Sequence, residues 1–396
     1  MTHPAAGRRP LVWALAGLTT VAYGALYYAQ PLLAVATEHE RGWTRAQTNL
    51  AFTLALLVTA FMAPAVGRAL DARGGRGLLS VGALLGALAF TLLAASTTYV
   101  VFLLGWLLAG AAMALTFYEA AFTALGQQVQ GAVRTRATLT ITLIAGLAST
   151  IFVPLTTALL GQWGLKGTFL GLAGLLLLAA GVTWSGLPPE RTRWSAAGPS
   201  VPFQPDPPFR TLTLAFTLAR IVTVGIGLQL APLLLAAGHS PALAAGLTGL
   251  MGLAALPGRV VFVPLLARFG ALPLTTALFG QLAAGAALLH FAQNPVLAAL
   301  GIVAFGLASG ALTLARAELL AQRYPPEVFG AANGRMARPV NLAQALTPFG
   351  VGLLLTWTGG YSGSLWLLTG LGVAAGVALL AGAGFNRKAA GDQTVT

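Results

Sequence analysis

Residues 77–96 read GLLSVGALLGALAFTLLAAS, a stretch of apolar and small side chains that contains no charged residue. A helix of about 20 such residues is as long as the hydrocarbon core of a bilayer is thick. Runs of the same kind follow one another along the chain, separated by short breaks of Gly, Pro or charged residues. The stretch therefore predicts one membrane-spanning helix in a chain that is built of such helices.

The composition of the whole chain supports this interpretation. Of 396 residues, 57% are hydrophobic and only 8% are charged, and the mean hydropathy is +0.81. These values indicate an integral membrane protein surrounded by the lipid bilayer. The net charge is +13, but the basic residues are scattered singly rather than gathered on one polar face, so we expect no nucleic-acid partner. Cysteine is absent, which excludes disulfides and thiolate metal sites.

The breaks divide the chain into twelve predicted spans. In chain order they cover residues 11–36, 47–69, 77–96, 99–126, 138–161, 165–187, 211–237, 242–267, 272–292, 295–321, 336–357 and 361–385. The first could instead be a secretory signal, because Arg8 and Arg9 precede it and Ala34-Val35-Ala36 is similar to a cleavage site. We favour a span, because the apolar run is too long for a signal and contains Gln30.

The basic residues orient the spans. If the N-terminus is inside, sixteen of the 22 Lys and Arg residues lie on the cytoplasmic side, and only Arg41, Arg45 and Lys166 lie outside. Cytoplasmic loops of membrane proteins carry such an excess. We therefore predict a multi-pass protein of the cell inner (plasma) membrane with both termini cytoplasmic.

Short motifs recur in the two halves of the chain. Ala114-Leu115-Thr116 recurs as Ala311-Leu312-Thr313, Pro31-Leu32-Leu33 recurs as Pro232-Leu233-Leu234, and Pro154 and Trp163 recur as Pro348 and Trp357. The shared order of these motifs predicts an all-α fold with two pseudo-symmetric six-helix bundles, residues 1–187 and 211–396. Residues 188–210, which are rich in Pro, Ser and Arg, would form a cytoplasmic linker between them. Such repeats enclose a substrate site near the membrane midplane at their interface.

The loop after the second span reads GRALDARGGR over residues 67–76. It resembles the signature of the major facilitator superfamily. That signature begins with a Gly, has an acid four residues later and continues with Gly and basic residues. Ala72 and Gly75 depart from it, because those positions are usually basic. Together with the twelve spans and the central linker, the resemblance covers the whole chain and implies the major facilitator fold. It also implies that four residues gate the cytoplasmic side, namely Asp71, Arg68, Arg73 and Arg76. The alternative is that they only anchor the loop.

Five ionisable residues lie inside the predicted spans and away from their ends: Glu119, Arg220, Arg259, Arg316 and Glu318. A charge at this depth is costly unless it faces a cavity or a partner, so each is a functional candidate. Glu119 and Arg316 hold equivalent positions in the repeat, and we predict that they pair. A structural ion pair between helices or exposure at the membrane interface is the alternative for all five, and for Glu318 we favour this alternative.

Three arginines against two glutamates leave a surplus positive charge, which favours an anionic substrate such as a carboxylate. Residues 256–265, LPGRVVFVPL, resemble the eighth span of monocarboxylate porters, in which an Arg, here Arg259, contacts the substrate. Those porters usually carry an acid four residues earlier, where this chain has Ala255. Glu119 or Glu318 would then carry the proton.

Polar side chains at helical spacing complete the predicted substrate site. They are Tyr27 and Gln30 in span one, near Tyr23, Tyr118 in span four, and Asn341 and Gln344 in span eleven. Packing or interfacial roles are the alternative for the tyrosines.

No arrangement of residues indicates an enzyme, so we predict no catalytic residue, no metal and no cofactor. The favoured function is a monomeric secondary active transporter of a small, monocarboxylate-like organic anion, working by alternating access and coupled to protons. In it Arg220, Arg259 and Arg316 bind the substrate. The alternatives are a proton-driven multidrug exporter of lipophilic or cationic compounds, with Glu119 as the recognition charge, and a membrane sensor or scaffold that transports nothing.

Overall fold

A computed structural model describes residues 8–189 and 203–392. Most of the predicted linker (190–202) and both chain ends lie outside these ranges. Every regular element within them is helical, which confirms the all-α fold class. The elements are α1 (Arg8–Ala22), a π-helix (Tyr23–Tyr28), α2 (Gln30–Arg41), α3 (Arg45–Arg73), α4 (Arg76–Ala95), α5 (Tyr99–Thr116), α6 (Tyr118–Gln128), α7 (Gly131–Ala145), α8 (Ala148–Gly186), α9 (Pro207–Ala236), α10 (Pro241–Phe269), α11 (Ala271–Leu288), a 3₁₀-helix (Leu289–Phe291), α12 (Pro295–Arg323), α13 (Pro326–Thr358) and α14 (Tyr361–Asp392).

The described residues contain ten helical stretches that are long and apolar enough to cross a membrane. One of them, Gly131–Gly186, includes both predicted spans five and six. Its helix breaks between them at Gly164, where φ is +64°. The carboxylate of Glu40 accepts a hydrogen bond of 3.0 Å from the N–H of Leu165, which satisfies a backbone donor where the helix resumes. Predicted span eleven lies in α13, which is not among the ten.

The chain divides into two units. The first comprises the residues up to Phe203 together with Arg323–Asn341, and the second comprises Gln204–Gln322 and the residues from Leu342 onward. In the first unit α1 and α4 pack on α8, and in the second unit α9 and α11 pack on α14. The first part of α13 therefore belongs, by its contacts, to the first unit.

The same close helix contact recurs in each unit. A Cβ atom on Gly110 would overlap the backbone of Ala55, and a Cβ atom on Gly310 would overlap the backbone of Ala255. Both members of the second pair lie 200 positions after those of the first. Small residues allow membrane helices to approach at backbone distance, so each unit uses glycine in this way at the equivalent crossing.

Candidate functional site

The carboxylate of Asp71 binds the beginning of α13. It lies in the last turn of α3 and is 3% exposed. Its Oδ1 accepts a hydrogen bond of 2.9 Å from the N–H of Gly330, and its Oδ2 accepts one of 2.6 Å from the N–H of Ala331. Both amides lie in the second turn of α13, and a hydrogen bond from an amide to a carboxylate is charge-assisted. We call these three residues the latch; all of them belong to the first unit.

Glycines allow α13 to reach Asp71. A Cβ atom on Gly67 would overlap the carbonyl group of Gly330, and one on Gly334 would overlap the carbonyl group of Ala63. The two helices are therefore in backbone contact along one full turn. Gly67, the first residue of the loop motif, is thus required for this packing.

The other predicted gating residues have different surroundings. Arg68 and Arg73 are exposed. Arg76 is half-buried at the start of α4, and its guanidinium carbon lies 4.2 Å from the ring centroid of Trp184. Within the described ranges, Asp71 is the one of the four that hydrogen-bonds to α13.

Two helices of the first unit lose regular geometry at the same place. The first span passes through the π-helix Tyr23–Tyr28, and the fourth is interrupted at Phe117, which has extended backbone angles between α5 and α6. The rings of Tyr23 and Phe117 are stacked, with centroids 3.9 Å apart. π-Helical turns are frequent at functional sites. Glu119, in the first turn of α6, is half-buried beside this irregularity.

Aromatic side chains surround the interruption. The ring of Tyr118 lies 4.7 Å from that of Tyr23 and stacks on Phe122 at 5.2 Å. Tyr27 contacts Tyr28 at 5.4 Å between centroids. We define the aromatic cluster as Tyr23, Tyr27, Tyr28, Phe52, Phe117, Tyr118 and Phe122.

Asn333 connects α13 to the helix of Glu119. Its Nδ2 donates a hydrogen bond of 3.0 Å to the backbone carbonyl of Glu119 and a longer one of 3.4 Å to the hydroxyl of Thr123. The side chain is 4% exposed. The predicted proton carrier and the latch thus share one segment of α13.

The predicted substrate arginines lie in the second unit. Arg220 is half-buried on α9, and Arg316 is 9% exposed on α12. Arg259 lies on α10 directly after Gly258. A Cβ atom on Gly258 would overlap the backbone of Leu307 on α12. Glu318 is half-buried and accepts a hydrogen bond of 2.9 Å from Gln322.

The sequence profile of the Major Facilitator Superfamily matches residues 15–292. The chain belongs to this superfamily. Its members are transporters, which confirms the resemblance in the loop motif and the prediction that the chain is not an enzyme. No curated protein matches the chain.

Solved structures of superfamily transporters share the fold. The human organic anion transporter MFSD10 (TETRAN) is 16% identical, with 94% of this chain and 99% of that chain covered and a TM-score of 0.77. The proton:xylose symporter XylE bound to 6-bromo-6-deoxy-D-glucose is 13% identical, with 95% of each chain covered and a TM-score of 0.76. A bacterial homologue of the iron transporter ferroportin is 18% identical, with 95% and 98% covered and a TM-score of 0.75. At these identities the similarity concerns the fold alone.

The structure divides the predicted site residues of this superfamily member between the two units. Tyr27, Gln30, Tyr118, Glu119 and Asn341 lie in the first unit, and the remaining substrate and proton residues, including Gln344, lie in the second. Gln30 is 7% exposed, whereas the others named from the first unit are half-buried.

Sequence reasoning missed several residues that the structure places at these sites. They include Tyr28 and Phe117 in the aromatic cluster, and Gly330, Ala331 and Asn333 on α13. Of these, Asn333 had a usable signal, because Pro325 and Pro326 mark the start of the helix that carries it.

Proposed function

We propose that this protein is a secondary active transporter that moves a small organic anion of the monocarboxylate class across the cell inner membrane. Transport proceeds by alternating access and is coupled to protons. Membership of the superfamily supports transport. The charges of the second unit support an anionic substrate.

The observation that carries the proposal is the charge balance within the predicted spans of the second unit. Three arginines, Arg220, Arg259 and Arg316, accompany a single acid, Glu318. Arg316 is 9% exposed on a helix made largely of apolar residues. A guanidinium at membrane depth is costly unless negative charge compensates it, and three arginines with one glutamate leave these spans with a net charge of +2. A carboxylate substrate would reduce the excess and would fit the planar donors of arginine.

The remaining residues follow from this assignment. Glu119, half-buried beside the interrupted helix, would exchange the proton. The latch would hold the cytoplasmic side closed in one conformer and release α13 in the other. A contact that exists in only one of two conformers shifts the equilibrium toward that conformer.

Binding and uptake test the anion assignment. Purified full-length protein is mixed with a panel of small carboxylates, and thermal stabilisation is measured for wild type, Arg220→Gln, Arg259→Gln and Arg316→Gln. Loss of a charge-assisted hydrogen bond should weaken binding roughly 10- to 100-fold. Stabilisation grows as RT ln(1 + [L]/Kd), so the midpoint shift reports affinity. Arg268→Gln, an exposed arginine at the end of α10, is the matched control.

The same variants are reconstituted in vesicles for carboxylate uptake with and without a proton gradient. Normal carboxylate uptake by both Arg220→Gln and Arg259→Gln would contradict the anion proposal. Uptake that ignores the proton gradient would contradict proton coupling and leave the anion assignment in place.

A second function, proton-driven export of lipophilic or cationic compounds, is supported by a different observation. The aromatic cluster lies beside Glu119, and aromatic faces and a carboxylate together suit an apolar cation. Efflux of a lipophilic cation that is lost in Glu119→Gln but kept in Glu327→Gln, together with no carboxylate flux, would select this function. Glu327 is an exposed acid of the same unit.

A further inference from the structure

Arg134 is a buried arginine that contacts α13 next to the latch. It lies in the first turn of α7 and is 6% exposed, whereas Arg136, two residues later, is exposed. Its guanidinium carbon is 4.1 Å from the ring centroid of Phe329. Phe329 is 1% exposed and directly precedes Gly330, which donates to Asp71. All these residues belong to the first unit.

The guanidinium also packs closely against a glycine of a second helix. A Cβ atom on Gly126, in α6, would lie 2.9 Å from the guanidinium carbon and 3.0 Å from Nη2. The planar group therefore lies close to both the backbone of Gly126 and the ring of Phe329. A cation over an aromatic face is attracted to the ring, and the attraction is strongest where both groups are removed from water. Arginine suits such a slot better than lysine because its charged group is flat.

We propose that Arg134 is a further gating residue, which holds the first part of α13 against α7 through the ring of Phe329, as Asp71 holds it against α3 through the amides of Gly330 and Ala331. The inference rests on the proposed gating role of α13 and adds a residue outside the loop motif. The two contacts bind adjacent residues of α13 from two helices, α7 and α3. Release of α13 must then break both contacts, so loss of either should favour the released conformer.

The natural absence of cysteine permits a direct test that needs no substrate. Thr123→Cys is the reporter, because Thr123 is 2% exposed and lies beneath α13, where Asn333 donates to its hydroxyl. Full-length protein in lipid nanodiscs is reacted with a water-soluble maleimide, and the labelling rate is measured. In the reporter background, Arg134→Gln and Phe329→Leu should each raise the rate about tenfold. Arg134→Lys should raise it less, and Arg136→Gln should leave it unchanged.

Gly126→Ala gives an independent variant that keeps the charge. The added methyl group meets only the flexible end of Arg134 among its nearest neighbours, so the fold should persist while the guanidinium is displaced. Its labelling rate should rise as in Arg134→Gln. If the two side chains act as a pair, the double variant Arg134→Gln, Phe329→Leu should label no faster than the faster single variant.

The outcomes separate this inference from the proposed function. A rate that rises in Asp71→Asn but stays at the reporter's value in Arg134→Gln and Gly126→Ala overturns the role of Arg134 and leaves the gate intact. Independent, multiplicative effects of Arg134→Gln and Phe329→Leu overturn the pairing. If neither Asp71→Asn nor Arg134→Gln changes the rate, both gating roles are wrong, while the anion assignment still stands on the binding assay.

Discussion

The N–H of Gly330 donates a hydrogen bond of 2.9 Å to Oδ1 of Asp71, although 259 positions separate the two residues in the chain. The second carboxylate oxygen accepts from Ala331, so both oxygens bind consecutive amides of α13. A neutral amide side chain has one acceptor oxygen where the carboxylate has two, and it would point an N–H₂ group at one of these donors.

Asp71→Asn should therefore weaken the docking of α13. Loss of a charge-assisted hydrogen bond corresponds to about 1.5–3 kcal/mol, or roughly a tenfold to hundredfold shift toward the released conformer. In the Thr123→Cys background, the maleimide labelling rate should rise by that order. Arg136→Gln, an exposed arginine on α7 outside the loop motif, is the control. Equal rates in Asp71→Asn and Arg136→Gln would show that the latch does not hold α13.

Gly330→Ala should have a similar effect without any change of charge. The added Cβ atom would overlap Oδ1 of Asp71 and the backbone carbonyl of Gly67, so α13 must move away from α3. Gly350→Ala is the matched control, because Gly350 lies on the same helix with no atom within 4 Å of the added carbon. Because alanine favours a helix interior more than glycine does, Gly350→Ala should raise the free energy of unfolding by up to about 1 kcal/mol.

The melting temperature and labelling rate of the two glycine variants show whether close packing or helix propensity decides the effect of Gly330→Ala. Gly330→Ala should melt lower and label faster than wild type, whereas Gly350→Ala should melt at the same temperature or higher. If both variants melt higher, helix propensity dominates at Gly330 and its contact with Asp71 is unimportant for stability.

The sequence predicted the all-helical fold, because the thickness of the bilayer sets the length of each apolar run independently of tertiary contacts. The stretch 77–96 became α4, Arg76–Ala95, almost without change. The loop motif also pointed to Asp71. What it could not supply was the partner, since the amides of Gly330 and Ala331 carry no side-chain signal and are identified only once α13 docks.

The hydrophobic pattern also did not predict where helices depart from regular geometry. Tyr23, Tyr27 and Gln30 were assigned to one face on the assumption of a regular helix, but the π-helix Tyr23–Tyr28 widens that turn and adds Tyr28 to the cluster. The interruption at Phe117 has no glycine or proline to announce it; the stacking of Phe117 on Tyr23 accompanies it. The sequence predicts Arg134 only as one of the cytoplasmic basic residues. Its burial could not be predicted, because it depends on Gly126 and Phe329 from other helices.

Arg41 makes a testable contribution to stability at the predicted outer end of the first unit. Its Nη2 donates a hydrogen bond of 2.9 Å to the carbonyl of Leu93, and its Nη1 donates to Ser96, at the C-terminus of α4. A cation that binds the last carbonyl groups of a helix is favoured by the helix dipole. Arg41→Gln should lower the free energy of unfolding by about 1–3 kcal/mol.

The melting temperature of the purified protein measures this loss. Lys166→Gln, an exposed basic residue on the same predicted side, should leave the temperature unchanged. In the second unit the ring Nε2 of His239 lies 2.6 Å from the carbonyl oxygen of Ala292. Because His239→Gln removes only this one hydrogen bond, it should lower the melting temperature less than Arg41→Gln does. A melting temperature of Arg41→Gln equal to that of Lys166→Gln would show that the cap contributes nothing.

Gln229 is predicted to be a source of instability. Its side chain on α9 is 3% exposed, and within the described ranges neither Nε2 nor Oε1 has a hydrogen-bond partner. It lies one turn after Gly225, which packs against Leu368 of α14, and the hydroxyl of Ser364, one turn before Leu368, is likewise buried without a partner. An unpaired buried amide costs about 1–3 kcal/mol, and an apolar replacement of similar shape removes that cost.

Gln229→Leu should therefore raise the melting temperature, by an amount that corresponds to about 1 kcal/mol or more. The matched control is Gln281→Leu in the same unit, because Nε2 of Gln281 donates a hydrogen bond of 3.0 Å to the carbonyl of Ala304. That substitution removes this hydrogen bond and should lower the melting temperature. If Gln229→Leu destabilises the protein as much as Gln281→Leu does, the amide of Gln229 is hydrogen-bonded in the folded protein and the interior between α9 and α14 is polar.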